Sequence, residues 1–289
     1  MGSARGSVAP TLDKGVGRRA VSRFYRSLMG RFAQNIREED LKRSAIVFSP
    51  HFDDETLACG GTILKKKAAG AHMMIVFMTD SSTSHRHLMP EDRLKAVRAG
   101  EALAAARHLG IDDHEALCLN YRSDRLGEQI HVSAERVARI LRHERPQDVF
   151  IPYSKDQQPD HMATNASVRL ALRLTGHEAV VYEYPVWFWS QWPWIHRTAR
   201  GPRGMIRVSA EAVISGLAIT RDFNAMVYVG DVLETKMNAL AEYRSQMTRL
   251  VPDDYWLTLA DVDGGEFLEC FLGKYEIFRR YLASSLSPN

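Results

Sequence analysis

Ala45-Ile46-Val47-Phe48-Ser49-Pro50-His51-Phe52-Asp53-Asp54-Glu55 is an apolar run that stops abruptly at one imidazole and three carboxylates. Residues 45–48 read as a buried parallel strand, Pro50 ends it, and the chain from Thr56 to near Gly70 has helical spacing. The four charged side chains therefore fall in a strand-to-helix turn. Open parallel sheets carry their chemistry outside the carboxyl ends of the strands, so a site belongs here. Three acids beside a histidine repel one another unless a cation or a helix amino terminus holds them. The helix dipole accounts for Glu55; Asp53 and Asp54 call for something more.

Working outward, Asp148-Val149-Phe150-Ile151-Pro152 is a second short buried-strand pattern ending in proline. A polar stretch to Gln158, Pro159, Asp160 and His161 follows it, which puts His161 in a loop on the same sheet edge as His51. Catalytic zinc takes three protein ligands from imidazole and carboxylate and keeps a position open for water. His51, Asp54 and His161 meet that requirement and leave Asp53 free as a base. A lone histidine after a strand is ordinary, and the chain has 11 of them. The grouping, not any one residue, favours the metal. Gly60-Gly61 lacks the G-x-G-x-x-G fingerprint of a dinucleotide loop, and Lys65-Lys66-Lys67 reads as a solvated complement to a helix end.

Between and beyond these stretches, strand and helix patterns alternate. Strands are expected at 72–79, 116–119, 180–184 and 226–229. Helices are expected from Pro90, at 133–143 and 161–174, from a cap at Asp231 to Gln246, and finally at 266–282. The alternation predicts a parallel, doubly wound α/β sandwich. On the helix after Pro90, Arg98 and Glu101 fit an i, i+3 surface pair, and Asp124 after the third strand fits a turn cap. His85 and His87 lie in a polar rim loop. The stretch from Tyr184 to Trp194 holds four of the five tryptophans, suited to covering the sheet end or to stacking on sugar rings. Residues 197–207, rich in Gly, Pro and Arg, read as a loop.

In this order the pieces resemble the LmbE-like (PIG-L) zinc-dependent de-N-acetylases, which remove acetyl groups from N-acetylglucosamine attached to inositol, malate or larger glycans. The family's His-Pro-Asp-Asp-Glu is matched by His51, Phe52, Asp53, Asp54 and Glu55, and its later Asp-His by Asp160 and His161. Arg98, Glu101, Asp124 and Asp231-x4-Lys236-x2-Ala239-Leu240-x2-Tyr243-x-Ser245-Gln246 agree further, over roughly residue 44 to the carboxyl end. The resemblance implies a Rossmann-like three-layer sandwich with a mainly parallel sheet. It implies Zn2+, or another divalent metal, on His51, Asp54 and His161, with Asp53 as base. Arg98 and Asp124 would contact an N-acetylated sugar substrate, and Asp160 would support a ligand or Gln158. Phe52 replaces the usual proline without removing a ligand. Gln158 stands where many members carry histidine; an amide donates a hydrogen bond but delivers no proton at neutral pH, so the general acid stays open. Rival readings are a metallohydrolase acting on another amide or an ester, and a catalytically silent glycan-binding or membrane-surface protein.

Composition bounds these readings. With 45% hydrophobic and 25% charged residues in 289, the chain has the profile of a soluble globular protein, and a net charge of +3 is too small to argue for nucleic acid. Residues 1–43 nevertheless hold ten basic and four acidic side chains. They read as a disordered start followed by a basic amphipathic helix over 18–36, outside a deacetylase domain at 44–289. That helix would pack on its own domain, on a partner, or as a peripheral contact on a membrane surface. Cys59, Cys118 and Cys270 are too few and too scattered for a disulfide framework or a cysteine metal site, which suits a reducing compartment. No stretch of about eighteen apolar residues is present, and Arg18-Arg19 lacks the apolar region of an export signal. The expectation is a cytoplasmic protein, with the inner face of the membrane as its one peripheral alternative. Oligomeric state is not legible.

Overall fold

The two proline-terminated runs lie side by side in one sheet. The computed structural model describes residues 14–196 and 201–286. Its strands are β1 (Gln34–Asn35), β2 (Ala45–Ser49), β3 (Met73–Thr79), β4 (Ala116–Tyr121), β5 (Asp148–Pro152), β6 (Val180–Tyr184), β7 (Ala225–Tyr228) and β8 (Tyr275–Leu282). Its helices are α1 (Lys14–Phe32), α2 (Glu38–Leu41), α3 (Asp54–Ala68), α4 (Glu91–His108), α5 (Ile130–Glu144), α6 (Pro159–Thr175), α7 (Gly201–Arg221), α8 (Leu233–Ala241), α9 (Arg244–Met247) and α10 (Glu266–Glu269).

The strands follow the order β1-β7-β8-β6-β5-β2-β3-β4. β2 to β6 are parallel, with Ala45 opposite Met73 on one side and Asp148 on the other, while β8 runs antiparallel to both β6 and β7. The sheet is therefore mainly parallel. Side chains alternate across it: Ala45 and Val47 enter a core with Ile63 of α3, Ala105 of α4 and Leu240 of α8. Ile46 and Phe48 enter the opposite core with Val137 of α5 and Val168 of α6. This is the three-layer sandwich. The chain winds outward from β2 through β3 to β4 and then returns to β5 on the other side of β2. Such a reversal opens a crevice at the carboxyl ends of β2 and β5.

Several elements differ from the sequence expectation. The final segment is a strand, not the helix expected at 266–282: after the short α10, Tyr275, Ile277, Phe278 and Tyr281 favour a pleated surface, and β6 and β7 offer hydrogen-bonding partners on both sides. Of the loop expected at 197–207, residues 197–200 lie outside the described residues, and α7 already begins at Gly201. Pro202 falls in its first turn, where a missing amide hydrogen costs no helical bond. Asp231 pairs with Lys65 at 2.8 Å instead of capping a helix, and the expected 231–246 helix breaks between α8 and α9. The amphipathic pattern over 18–36 splits into α1 and β1, because the Ile36 amide joins β7 by donating to the Met226 carbonyl at 2.9 Å.

Two buried lysines hold the sheet to α3. Lys66, expected in solvent, is 1% exposed and donates to Asp148 at the start of β5 at 2.7 Å. Lys236 of α8 donates to the Leu57 and Phe271 carbonyls and, at 2.8 Å, to Glu276 of β8. Glu276 also accepts from the Gly61 and Thr62 amides. Gly61 has no room for a side chain: a Cβ there would fall 2.5 Å from Val229. Truncating Lys236 strands the Glu276 charge in the core. Lys236→Met is expected to cost about 3–5 kcal/mol in a urea unfolding series, with part of the loss recovered by Lys236→Met combined with Glu276→Gln. An unchanged urea midpoint in the single variant would overturn this account of the pair.

Candidate metal-binding site

The turn after β2 is held in an unfavourable backbone shape. Asp53 has φ 124°, a region that side-chain-bearing residues rarely occupy and that usually signals a functional constraint. Four hydrogen bonds hold it there. The Phe52 amide donates to Ser81 Oγ (2.9 Å), and Arg98 Nη2 donates to the Phe52 carbonyl (2.7 Å). The Asp53 amide donates to the Glu55 carboxylate (3.3 Å), and the His51 amide donates to Asp54 Oδ2 (3.0 Å). α3 starts at Asp54, so that residue stands in its first turn.

His161 also stands in a first helical turn and not in the expected loop. α6 begins at Pro159, and Gln158 caps it by accepting the His161 amide on Oε1 at 3.0 Å. The two turns meet across the crevice. Asp54 Oδ2 is 3.2 Å from His51 Nδ1 and 3.1 Å from His161 Nε2, and one ligand atom from each of the three residues lies within 4.8 Å of the others.

The outer nitrogens of both rings face carboxylates. His51 Nε2 is 3.2 Å from Asp160 Oδ2, and His161 Nδ1 is 3.1 Å from Asp156 Oδ2. An ionised carboxylate only accepts hydrogen bonds, so each outer nitrogen carries the hydrogen and each inner lone pair turns toward Asp54. His161 Nε2 is buried and makes no hydrogen bond despite its nearness to Asp54. Two lone pairs and a carboxylate aimed at one point favour a cation between them. Without one, protons must serve. Burial alone would lower the His161 pKa, but Asp54 and Asp156 outweigh it and push it up to about 10. His51 also rises, its burial outweighed by Asp160 and Asp54. For Asp54, burial is outweighed by His161 and His51, which hold the carboxyl well below its usual range. The donor set fits a divalent metal, with two imidazoles and one carboxylate as in open zinc sites.

A cavity of about 310 Å³ opens above these residues. Asp53 lies in its wall, 3.3 Å from Arg98 Nη2, and burial pushes its carboxyl up to about 7 against the pull of Arg98. Arg98 and Glu101 are both buried, so the surface pair expected from their spacing does not form; Glu101 instead accepts from the Ser245 amide and hydroxyl. Asp124 lines the cavity, and its amide donates to Asp160 Oδ2 at 2.8 Å. Gln158 lines it too, with its carbonyl engaged in the helix cap. Trp187 closes one side and stacks on Phe267 with ring centroids 5.0 Å apart, whereas Trp189 and Trp194 are core. His85 reaches the cavity wall but stacks on Trp256 at 4.3 Å and sits 2.9 Å from the Leu257 carbonyl, and burial lowers its pKa. His87 is exposed.

Three features escaped the sequence. Asp156 sets the His161 ring; its only signal was an acid five residues before a candidate ligand. Glu55, assigned to the helix dipole, is fully buried and accepts from Ser49, Thr56 and Tyr243. The segment carrying Gln246, Thr258 and Phe267 supplies a cavity wall that no local pattern announced.

Residues 46–172 match the sequence model of a family described as PIG-L: GlcNAc-PI de-N-acetylase. The chain is 27% identical over 247 residues to the 1D-myo-inositol 2-acetamido-2-deoxy-alpha-D-glucopyranoside deacetylase 2 of Catenulispora acidiphila, covering 71% of this chain and 80% of that protein. Among solved structures its fold is similar to N,N'-diacetylchitobiose deacetylase from Pyrococcus horikoshii. There the TM-score is 0.57 at 22% identity, over 93% of this chain and 95% of that one. It is also similar to GalB, the 4-carboxy-2-hydroxymuconate hydratase of Pseudomonas putida, with TM-score 0.52 at 16% identity over 86% and 97% of the chains. A deacetylase and a hydratase share this architecture, so the reaction must be argued from the site.

The geometry sets an order of metal affinities. His161→Ala is expected to abolish stoichiometric binding of a divalent ion, and Asp156→Asn to weaken it about 10- to 100-fold by releasing the ring. Titration calorimetry against a competing chelator reads both. Wild-type affinity in His161→Ala would remove that residue from the site.

Proposed function

We propose that the protein, whose residues 46–172 match the PIG-L: GlcNAc-PI de-N-acetylase family model, is a zinc-dependent hydrolase that removes the acetyl group from an N-acetylglucosamine-type sugar in a glycoconjugate or small glycoside. The observation that carries this reading is the meeting of His51, Asp54 and His161 beside a cavity whose wall holds a further carboxylate, Asp53. A divalent cation held by those three side chains would supply positive charge to polarise an acyl oxygen and acidify water. Everything else is done by the chain itself.

Asp53 accepts a proton from water as the water attacks the acetamide carbonyl. Arg98 keeps Asp53 aimed by donating both to its carboxylate and to the Phe52 carbonyl, and it lines the sugar side of the cavity. Gln158 presents its amide hydrogens to the developing oxyanion while its carbonyl caps α6. When the carbon–nitrogen bond breaks, acetate leaves, and Asp53 returns its proton to the departing amine, the step Gln158 cannot perform. Asp124 accepts from sugar hydroxyls, and Asp160 keeps the His51 ring oriented. The Trp187 and Phe267 wall suits the apolar C–H face of a pyranose. At about 310 Å³ the cavity is at the small end for ligand pockets, enough for one acetamido sugar with its aglycone outside.

We further propose a cytoplasmic location, with which the free thiols of Cys59, Cys118 and Cys270 agree. Among the described residues no helix is long and apolar enough to cross a membrane.

Acetate release is expected from N-acetylglucosaminides and not from simple acyl esters; the opposite preference would favour a different metallohydrolase. Asp53→Asn is expected to keep its metal while turnover falls about 10²- to 10⁴-fold. Near wild-type turnover in that variant would show the base to be elsewhere. Gln158→His is expected to preserve or raise the rate, and a large fall would reveal a role of the amide beyond oxyanion contact.

A further inference from the structure

Helix α7 is apolar on two opposite faces. One turns inward, with Ser215, Ala218 and Ile219 buried. The other carries Ile206, Ala210, Val213, Ile214 and Leu217 at helical spacing and points to solvent, with Ile206 69%, Val213 61%, Ile214 54% and Leu217 45% exposed. A helix on an aqueous surface places polar residues there. α1 packs beside it: Tyr25 donates its hydroxyl to the Ala212 carbonyl at 3.0 Å and lies over Gly216, where a Cβ would come within 2.8 Å of the tyrosine oxygen. α1 adds two large exposed rings, Phe24 at 58% and Phe32 at 53%.

Charge surrounds this apolar surface. α1 and α7 together hold nine basic side chains and one acidic one, against a net charge of only +3 for the whole chain. Arg19, Arg23, Arg31, Arg203, Arg207 and Arg221 are all exposed. Arg26 stands over Trp194, 5.6 Å from the ring centroid, beside a groove that Arg19 and Arg23 also line.

We propose that α1 and α7 form one docking face for an anionic bilayer surface, the apolar side chains entering the headgroup boundary and the guanidinium groups pairing with lipid phosphates. Apolar side chains on one face with arginines at its margins are the pattern of a helix lying in a membrane interface. Guanidinium also matches phosphate in shape and charge. The charge selects between occupants. Two copies meeting through this face would set its exposed arginines, Arg19, Arg23, Arg31, Arg203, Arg207 and Arg221, against one another, whereas anionic lipid complements them. The face is tied to the cavity wall, because Arg18 of α1 pairs with Glu266, the neighbour of Phe267. The inference does not depend on which reaction the cavity performs.

The test is co-sedimentation of the full chain with vesicles of phosphatidylcholine alone and of phosphatidylcholine mixed with phosphatidylglycerol. Partition onto the anionic vesicles is expected to exceed that onto neutral ones at least about tenfold and to fall as salt is added. Val213→Asp with Leu217→Asp is expected to abolish it. Arg203→Glu with Arg207→Glu, which leaves the apolar stripe intact, is expected to reduce it at least about tenfold. Both variants should retain wild-type circular dichroism and metal content. Absent or equal partition onto the two vesicle types would overturn the proposal. So would undiminished partition in the arginine variant, or a dimer on size-exclusion chromatography that the aspartate pair dissolves while vesicle binding is lacking.

Discussion

Asp54 Oδ2 lies about equally close to two imidazoles, 3.2 Å from His51 Nδ1 and 3.1 Å from His161 Nε2. Nothing local to either turn requires this contact; the turns are more than a hundred residues apart and meet because β2 and β5 are neighbours. Each surrounding carboxylate then has a defined consequence. Asp160 and Asp156 fix the outer nitrogens of the rings and turn the inner lone pairs toward one point. Placing two lone pairs and an anion together in a buried pocket is unfavourable without a cation, so the arrangement selects its ligand by electrostatics.

The scaffold keeps that pocket rigid by burying charge elsewhere. Lys236 and Glu276 join α8 and β8 to the first turns of α3, and Lys66 with Asp148 joins the far end of the same helix to the start of β5. α3 is thus fastened at both ends, and its first residue is Asp54. Arg98 and Ser81 hold the preceding turn in the conformation that Asp53 requires. Precision at the site comes from these hydrogen bonds more than from apolar packing, since hydrophobic contact alone fixes no direction.

The same architecture serves a hydratase and deacetylases, so the fold does not name the reaction and the cavity wall carries the chemistry to be read. Its polar side holds Asp53, Asp124 and Gln158, and its apolar side holds Trp187 and Phe267. In the proposed mechanism Gln158, with its carbonyl capping α6 and no proton to give, leaves proton transfer in both directions to Asp53, the carboxylate of the turn that lines the cavity beside Arg98.

The amino-acid sequence alone carries the βα alternation, the mainly parallel sheet, and the two acid-and-histidine turns, because each rests on local signals: proline after an apolar run, helical spacing after it, and charge where a strand ends. It misread the last strand, since Tyr275 to Leu282 pairs only with strands distant in the chain, and an isolated apolar run does not tell helix from strand. It assigned Lys66 and Glu55 to solvent and dipole because burial of a charge depends on partners that arrive from other elements. Asp156 and the 245–267 wall were invisible for the same reason. Which carboxylate faces which ring nitrogen emerges on folding, because hydrogen-bond direction is a property of assembled geometry and has no period along a chain.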